Sequence, residues 1–497
     1  MLEQYREAIS QFHTRLLTEQ FLYHSGQKNQ LELYPIYDRF ADLFTPDAIG
    51  ELDHRLTSIP DYFTRQRKGI RLLIGYAQTH YINKRTYQLT EQLAKAEKQA
   101  MLHDGRELVS LYAAVKALAT EADARHRRHL HQQYLDWLAR TNELRQQQWH
   151  ERHAAAQSLG YADYESMRAS HTPIDRSEYL RAASRLLQET ESVYFDQLDH
   201  ALPNLLGLPR GQATQADLPY FLHLPSFAPQ FPEDGLLAVY REIQHDLGID
   251  RDKATNIRID AHERVGKRPW TRTFPARIPD EIHLSVSVGS GLRHYQCLLH
   301  EAGRAQRYAW MSPTLLIEFR VCGDPALLHG FGFLFEYLTL DRVWLEQMLH
   351  IVKSSTLITL GWLQKLLLIR QAAATVPVEQ TLHTAGDWSA TTEQYAQCLT
   401  DATGFRHDGD ACVDVLHDDD SAIDRLRGWL FEAALRERLK TRYGTKWWTS
   451  KKAADMLIDL WSSGGEYTAE ELASLADLGT LSFDQVISEC TRSLKRT

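Results

Sequence analysis

The sequence predicts a mostly α-helical protein interrupted by one small antiparallel β ribbon. Three observations predict it. Helical spacing of apolar residues runs through nearly the whole chain, period-2 alternation is confined to one stretch before residue 290, and no repeat or low-complexity segment competes with either. The 497 residues are ample for a large core or for two or three average domains. We expect a helical region over 1–250, the ribbon over 251–290 and a second helical region over 291–497, joined in one continuous fold.

Residues 83–103 and 119–158 read as long amphipathic helices, rich in the strong helix formers Ala, Leu, Glu, Gln and Arg. His126, His129, His131, His150 and His153 fall in the second of these, where a solvated helix face is expected rather than a metal site. Breaks are expected at Leu202-Pro203, at Leu208-Pro209-Arg210-Gly211 and over Ser226 to Gly235. In the ribbon, Ile257-Arg258-Ile259-Asp260 alternates, Gly266 to Pro269 turns, and Thr271 to Ile278 is extended around Pro275. Glu281 to Val288 then alternates at period 2. The ribbon either closes the core or offers an edge to an extended peptide. His283 and Ser285, on that last strand, are candidate substrate-binding residues.

Gly289-Ser290-Gly291 ends the ribbon, and Leu292, Tyr295, Leu299, Ala302 and Ala309 then follow helical spacing. This helix carries His300-Glu301-Ala302-Gly303-Arg304. H-E-x-x-H on a helix sets two imidazoles on one face for zinc, with the glutamate as general base. Here the fifth position is Arg304, whose guanidinium has no lone pair to give a metal. Gly303 costs about 1 kcal/mol relative to Ala in mid-helix, which makes sense if another backbone or a substrate comes close. Tyr308, farther along, joins Arg304 as a candidate substrate-binding residue. Asp324-Pro325 is an N-cap followed by proline at the first helical position, and starts a second helix. His329, Phe333 and Glu336 share one of its faces, with His329 29 positions after His300.

These residues resemble the thimet-oligopeptidase and oligoendopeptidase F superfamily of zinc metallopeptidases, particularly its bacterial carboxypeptidase-like branch. The resemblance covers most of the chain, from Arg277-Ile278-Pro279-Asp280-Glu281 through Leu298 to Gly303, Glu318-Phe319-Arg320, Gly332 to Glu336 and Leu426 to Ala433. It implies a metallopeptidase-like helical fold with a deep central cleft. It also implies that His300 stands at the first zinc histidine, Glu301 at the general base, Arg304 at the second zinc histidine and His329 at the third ligand, a glutamate in the family. The family's substrate-holding tyrosines fall where this chain has Asp418-Asp419-Asp420-Ser421-Ala422-Ile423-Asp424, and no tyrosine lies between Tyr395 and Tyr443.

A catalytic zinc takes three protein ligands and one open position, and a cation about 4 Å from Zn²⁺ costs roughly 8 kcal/mol at an effective dielectric near 20. Zinc is therefore disfavoured and no other cofactor is expected. Arg304 either neutralises Glu301 in a dead site or captures an acidic ligand. In the second case His300, Glu301 and His329 form an acid–base cluster for metal-free isomerisation, elimination or cyclisation. Two further readings are an active oligopeptidase with zinc rearranged onto His300 and His329, and a non-catalytic partner-binding protein. The run His417-Asp418-Asp419-Asp420 reads as a solvated acidic loop, and Trp447-Trp448 as packing.

Composition bounds the rest. A net charge of −9 gives no basic footprint for nucleic acid, and no apolar run reaches the 18 or so residues that span a bilayer. The five scattered cysteines and an N-terminus without a signal-peptide layout predict a cytoplasmic protein. The expected partner is a peptide or small molecule, acidic if Arg304 meets it.

Overall fold

A computed structural model describes residues 2–171, 174–249, 255–385, 388–412 and 421–495. His417 and Asp418 to Asp420 lie outside the described residues. Helices dominate, among them Leu2–His24, Thr64–Gln99, Ala124–Ser158, Leu292–Ala309 (the motif helix), Pro325–Glu336 (the partner helix), Ser355–Ala385 and Ala422–Tyr443. Among the described residues none is long and apolar enough to cross a membrane.

The first long helix starts well before residue 83 and stops at Gln99, short of the expected residue 103. Met101–His103 (β1) instead pairs antiparallel with Leu108–Ser110 (β2), a second sheet that helical periodicity hides. The reversal is local chemistry. Asp104 Oδ1 accepts the Arg106 and Glu107 amides at 2.8 Å each, and Gly105 takes a φ of 97° that other residues avoid. His126 Nε2 lies 2.5 Å from the Asp104 carbonyl and His129 Nε2 2.9 Å from that of His103. These two histidines thus tie helix to hairpin, a role that composition alone conceals. The expected break at Pro203 is also corrected: helix Glu191–Leu206 runs through it and ends at Gly207, in the left-handed region at φ 67°.

The ribbon has three strands and is mixed, where an antiparallel one was expected. Glu281–Ser285 (β5) is central, parallel to Ile257–Asp260 (β3) and antiparallel to Arg272–Arg277 (β4). Alternation reports which face is buried and says nothing of strand direction, so the sequence left direction open. The outer edge of β4 is covered by the first helix: His13 Nε2 lies 3.0 Å from the Pro275 carbonyl and His24 Nε2 2.8 Å from that of Trp270 just ahead of the strand.

The principal hydrophobic core joins Ala183 to Leu494 and includes Ile282, Leu284, the motif helix, the partner helix and both Trp447 and Trp448, which are fully buried as expected. The ribbon and both site helices therefore share one interior. That shared packing sets the relative positions of the site residues.

Burial around the first helix has a pH signature. His13, His24 and His80 are pushed by desolvation down to about 4, about 3 and about 3. Below an unfolded value near 6.5 the unfolded chain binds protons that the folded chain refuses, so stability is full above pH 6.5 and falls on acidification. Each of the three removes up to about 1.4 kcal/mol per pH unit across that window. Calorimetry between pH 6.5 and 5 is expected to show a falling midpoint whose slope is smaller in His13→Gln and His24→Gln than in the unaltered chain. A midpoint unchanged over that interval refutes the assignment.

Candidate active site

Three helices meet at glycine contacts. A Cβ at Gly303 would run into the Phe331 carbonyl, so the mid-helix glycine admits a neighbouring backbone, as its cost suggested. A Cβ at Gly332 would lie 2.7 Å from His300 Nε2, and one at Gly428 2.5 Å from the His329 Cβ. The motif helix, the partner helix and Ala422–Tyr443 are thereby pressed together around His300 and His329. Gly303→Ala gains about 1 kcal/mol of helix propensity but overpacks a backbone contact that typically costs about 1–3 kcal/mol. Urea denaturation is expected to show a net loss, and equal or greater stability counts against the contact.

Asp324 caps the partner helix as the sequence predicts, accepting the Ala326 amide at 3.0 Å with Pro325 at the first position. The helix presents His329, Phe333 and Glu336 to the motif helix. The two imidazoles stand 6.4 Å apart between centroids, with Phe333 packed edge-on to His300 at 5.1 Å and stacked near His329 at 5.9 Å. Phe333 is backed in turn by Trp429 at 4.5 Å, nearly parallel. His300 Nδ1 lies 2.9 Å from Glu336 Oε2, and Arg293 Nη1 donates to Glu336 Oε1 at 3.3 Å. Such a carboxylate fixes tautomer and ring orientation, leaving Nε2 to face the site.

Glu301 is differently engaged. Its Oε2 accepts the Thr273 amide at 2.7 Å and its Oε1 accepts Arg304 Nη1 at 2.9 Å, while the Thr273 hydroxyl donates to the Glu301 carbonyl at 2.9 Å. Thr273 lies on the edge strand β4, so Glu301 ties that edge to the motif helix. Burial pushes the Glu301 carboxyl up, but the Arg304 guanidinium, His300 and the Thr273 bonds outweigh it and hold it below the usual carboxylate range. A general base works best with a pKa near the operating pH, and Glu301 is shifted the other way.

The structure thus brings His300, Glu301, Arg304 and His329 into one cluster. Tyr308 lies farther along the motif helix, half-buried, with Arg307 5.9 Å from its ring. His283 and Ser285 are not brought into hydrogen-bonding contact with the cluster. His283 stacks on Phe21 at 4.2 Å with Nε2 3.3 Å from Glu281 Oε1, and Ser285 is fully buried with no partner for Oγ among the described residues. Glu336, Thr273 and Arg293 are the site residues the sequence did not assign. Glu336 had a signal, since it shares a face with His329. Thr273 had none, because its role is a backbone amide 28 positions from its acceptor.

The resemblance implies zinc, and the ligands can be tested for it. His300 and His329 remain, Glu301 is spent on Thr273 and Arg304, and a guanidinium occupies the place of the second imidazole. Among the described residues no group of three His, Cys, Asp or Glu side chains is placed to hold a metal ion. The described residues do not complete the three-ligand set of a catalytic zinc.

No protein-family model matches the chain and no curated protein matches it in sequence. Solved structures do match. An X-ray structure described as an oligoendopeptidase F superposes with a TM-score of 0.75 at 14% identity, over 100% of this chain and 91% of that one. PZ peptidase A with an inhibitor gives 0.72 at 13% identity, covering 96% and 86%. A Bacillus anthracis str. Ames protein described as an oligoendopeptidase F gives 0.69 at 14% identity, covering 93% and 86%. The chain has the fold of the oligoendopeptidase F-like metallopeptidases.

Proposed function

We propose that this peptidase-fold protein has lost zinc-dependent hydrolysis, and that it binds a peptide or small acidic molecule or acts on one without metal. One observation carries the reading: both carboxylate oxygens of Glu301 are occupied, one by the Thr273 amide and one by the arginine standing where a zinc histidine would be. A carboxylate so engaged is a poor base for water. The group better suited to proton transfer is His300, oriented by Glu336. Isomerisation, elimination or cyclisation are the reaction types that such a group supports without a metal.

Two measurements test this together. Protein purified without chelator is expected to carry far less than one zinc per chain, and quenched fluorescent peptides are expected to show no phenanthroline-sensitive cleavage. One tightly held zinc per chain, with cleavage abolished in Glu301→Gln, would instead establish a hydrolase with zinc rearranged onto His300 and His329.

A further inference from the structure

The last turn of the motif helix holds a charge that its surroundings do not answer. Arg307 is only 3% exposed, and a guanidinium keeps its proton at any working pH. Its Nη2 donates to the Gly464 carbonyl at 2.9 Å. Among the described residues that is its only hydrogen-bond acceptor, and no carboxylate comes within ion-pair distance. The other deeply buried arginines are treated differently. Arg127 and Arg427 meet carboxylates, and Arg370, which meets none, is met by the Ala402 and Leu187 carbonyls and the Thr190 hydroxyl.

The nearby charges do not make up the difference. Asp324 acts on Arg307 from beyond contact, because Arg427 and the Ala326 and Ala469 amides already hold it. The end of the motif helix contributes roughly half a unit of negative charge. Arg304, three residues earlier on the same helix, adds a like charge. Burial draws the Arg307 guanidinium below the ordinary arginine range, and Tyr308 and Asp324 only partly restore it. A buried ion without a counter-ion is costly, and proteins pair such groups. The surrounding backbone leaves little room for the missing partner. Gly464-Gly465 is pressed onto the turn at Gly323, where a Cβ at Gly465 would run into the Cys322 carbonyl and one at Gly323 would lie 3.8 Å from Arg307 Nη2. A single small ion fits such a place better than the carboxylate of a larger molecule.

We propose that Arg307 binds a small monovalent inorganic anion of the halide class, held where the last turn of the motif helix meets the Gly323 turn and the Gly464 loop. The anion offsets the repulsion between Arg307 and Arg304, and so steadies the arginine that holds Glu301. The site stands whether or not the cluster around His300 takes a metal.

Thermal unfolding of the full chain, with sodium chloride replacing sodium gluconate at constant ionic strength, tests the proposal. The midpoint is expected to rise saturably with chloride, as it does for any ligand that binds only the folded state. Arg307→Gln is expected to weaken the apparent chloride affinity at least about tenfold, since the charge-assisted contact is lost. Arg307→Gln is also expected to be no less stable than the unaltered chain in gluconate, because it carries no unanswered charge. Arg304→Gln is expected to keep the chloride response. Crystals of the unaltered protein grown in bromide supply a reading that needs no variant: an anomalous peak against the Arg307 guanidinium is expected. No saturable chloride response, a response kept in Arg307→Gln, or no bromide at Arg307 overturns the site. A response lost in Arg304→Gln but kept in Arg307→Gln places the anion at the zinc-like cluster, which ends this proposal and leaves the acidic-ligand reading standing.

Discussion

Arg304→His is expected to convert the chain into a zinc-binding protein, retaining one zinc per chain after gel filtration where the unaltered protein keeps little. Two effects act in the same direction. Removing a fixed cation about 4 Å from the metal position relieves a repulsion of roughly 8 kcal/mol at an effective dielectric near 20. The new imidazole also adds a third nitrogen ligand to His300 and His329, the three-histidine set that supports zinc with one position open. Even half of that relief corresponds to about a thousandfold in affinity. The same change frees Glu301 Oε1 from its guanidinium partner. Arg304→Gln separates the contributions, since it removes the charge without supplying a ligand and is expected to gain much less. Metal analysis with competition by a chromophoric chelator reads both variants. If Arg304→His binds zinc no better than Arg304→Gln, then His300 and His329 do not converge on a metal and the kinship of this cluster to a zinc site is wrong.

Arg427→Leu is expected to be the most damaging single change to stability. Arg427 is fully buried on Ala422–Tyr443 and holds three carboxylates together. Its Nη1 donates to Asp324 Oδ1 at 2.8 Å and to Asp424 Oδ1 at 3.0 Å, while Nε and Nη2 meet the two oxygens of Glu470 at 2.9 and 2.6 Å. Asp324 does further work, capping the partner helix and accepting the Ala469 amide at 2.8 Å. Removing one member of such a buried network typically costs about 3–5 kcal/mol, because the remaining charges lose their counter-ion. Burial and the nearby Asp324 already push Asp424 up to about 6. In the variant, protonation of these acids relieves repulsion, so the deficit relative to the unaltered chain is expected to shrink as pH falls from 7 to 5. Urea denaturation at both pH values checks this. A loss under about 1 kcal/mol at pH 7 means that the network is balanced by solvent rather than by Arg427.

Much of this architecture was legible from spacing alone. The motif helix, the capped start of the partner helix, the close approach at Gly303 and the buried tryptophan pair follow from period, cap chemistry and side-chain size. What escaped was everything set by pairing between distant segments. Strand direction in the ribbon, the hairpin at Asp104, and the engagement of Glu301 by a backbone amide have no periodic trace. The histidines show the same limit. His283 alternates as a surface-facing strand residue would, yet stacks on Phe21 because a helix from the far N-terminus covers that side of the sheet. A sequence states which residues are polar; only the assembled chain decides which of them meet.

The glycines at 303, 332 and 428 leave no slack between the three helices, and this has an evolutionary reading. Where backbones interlock so tightly, the geometry separating His300 from His329 cannot drift when side chains change. A chain of this kind can exchange side chains one at a time upon an unaltered frame, so the spacing of the two imidazoles outlasts changes in what surrounds them.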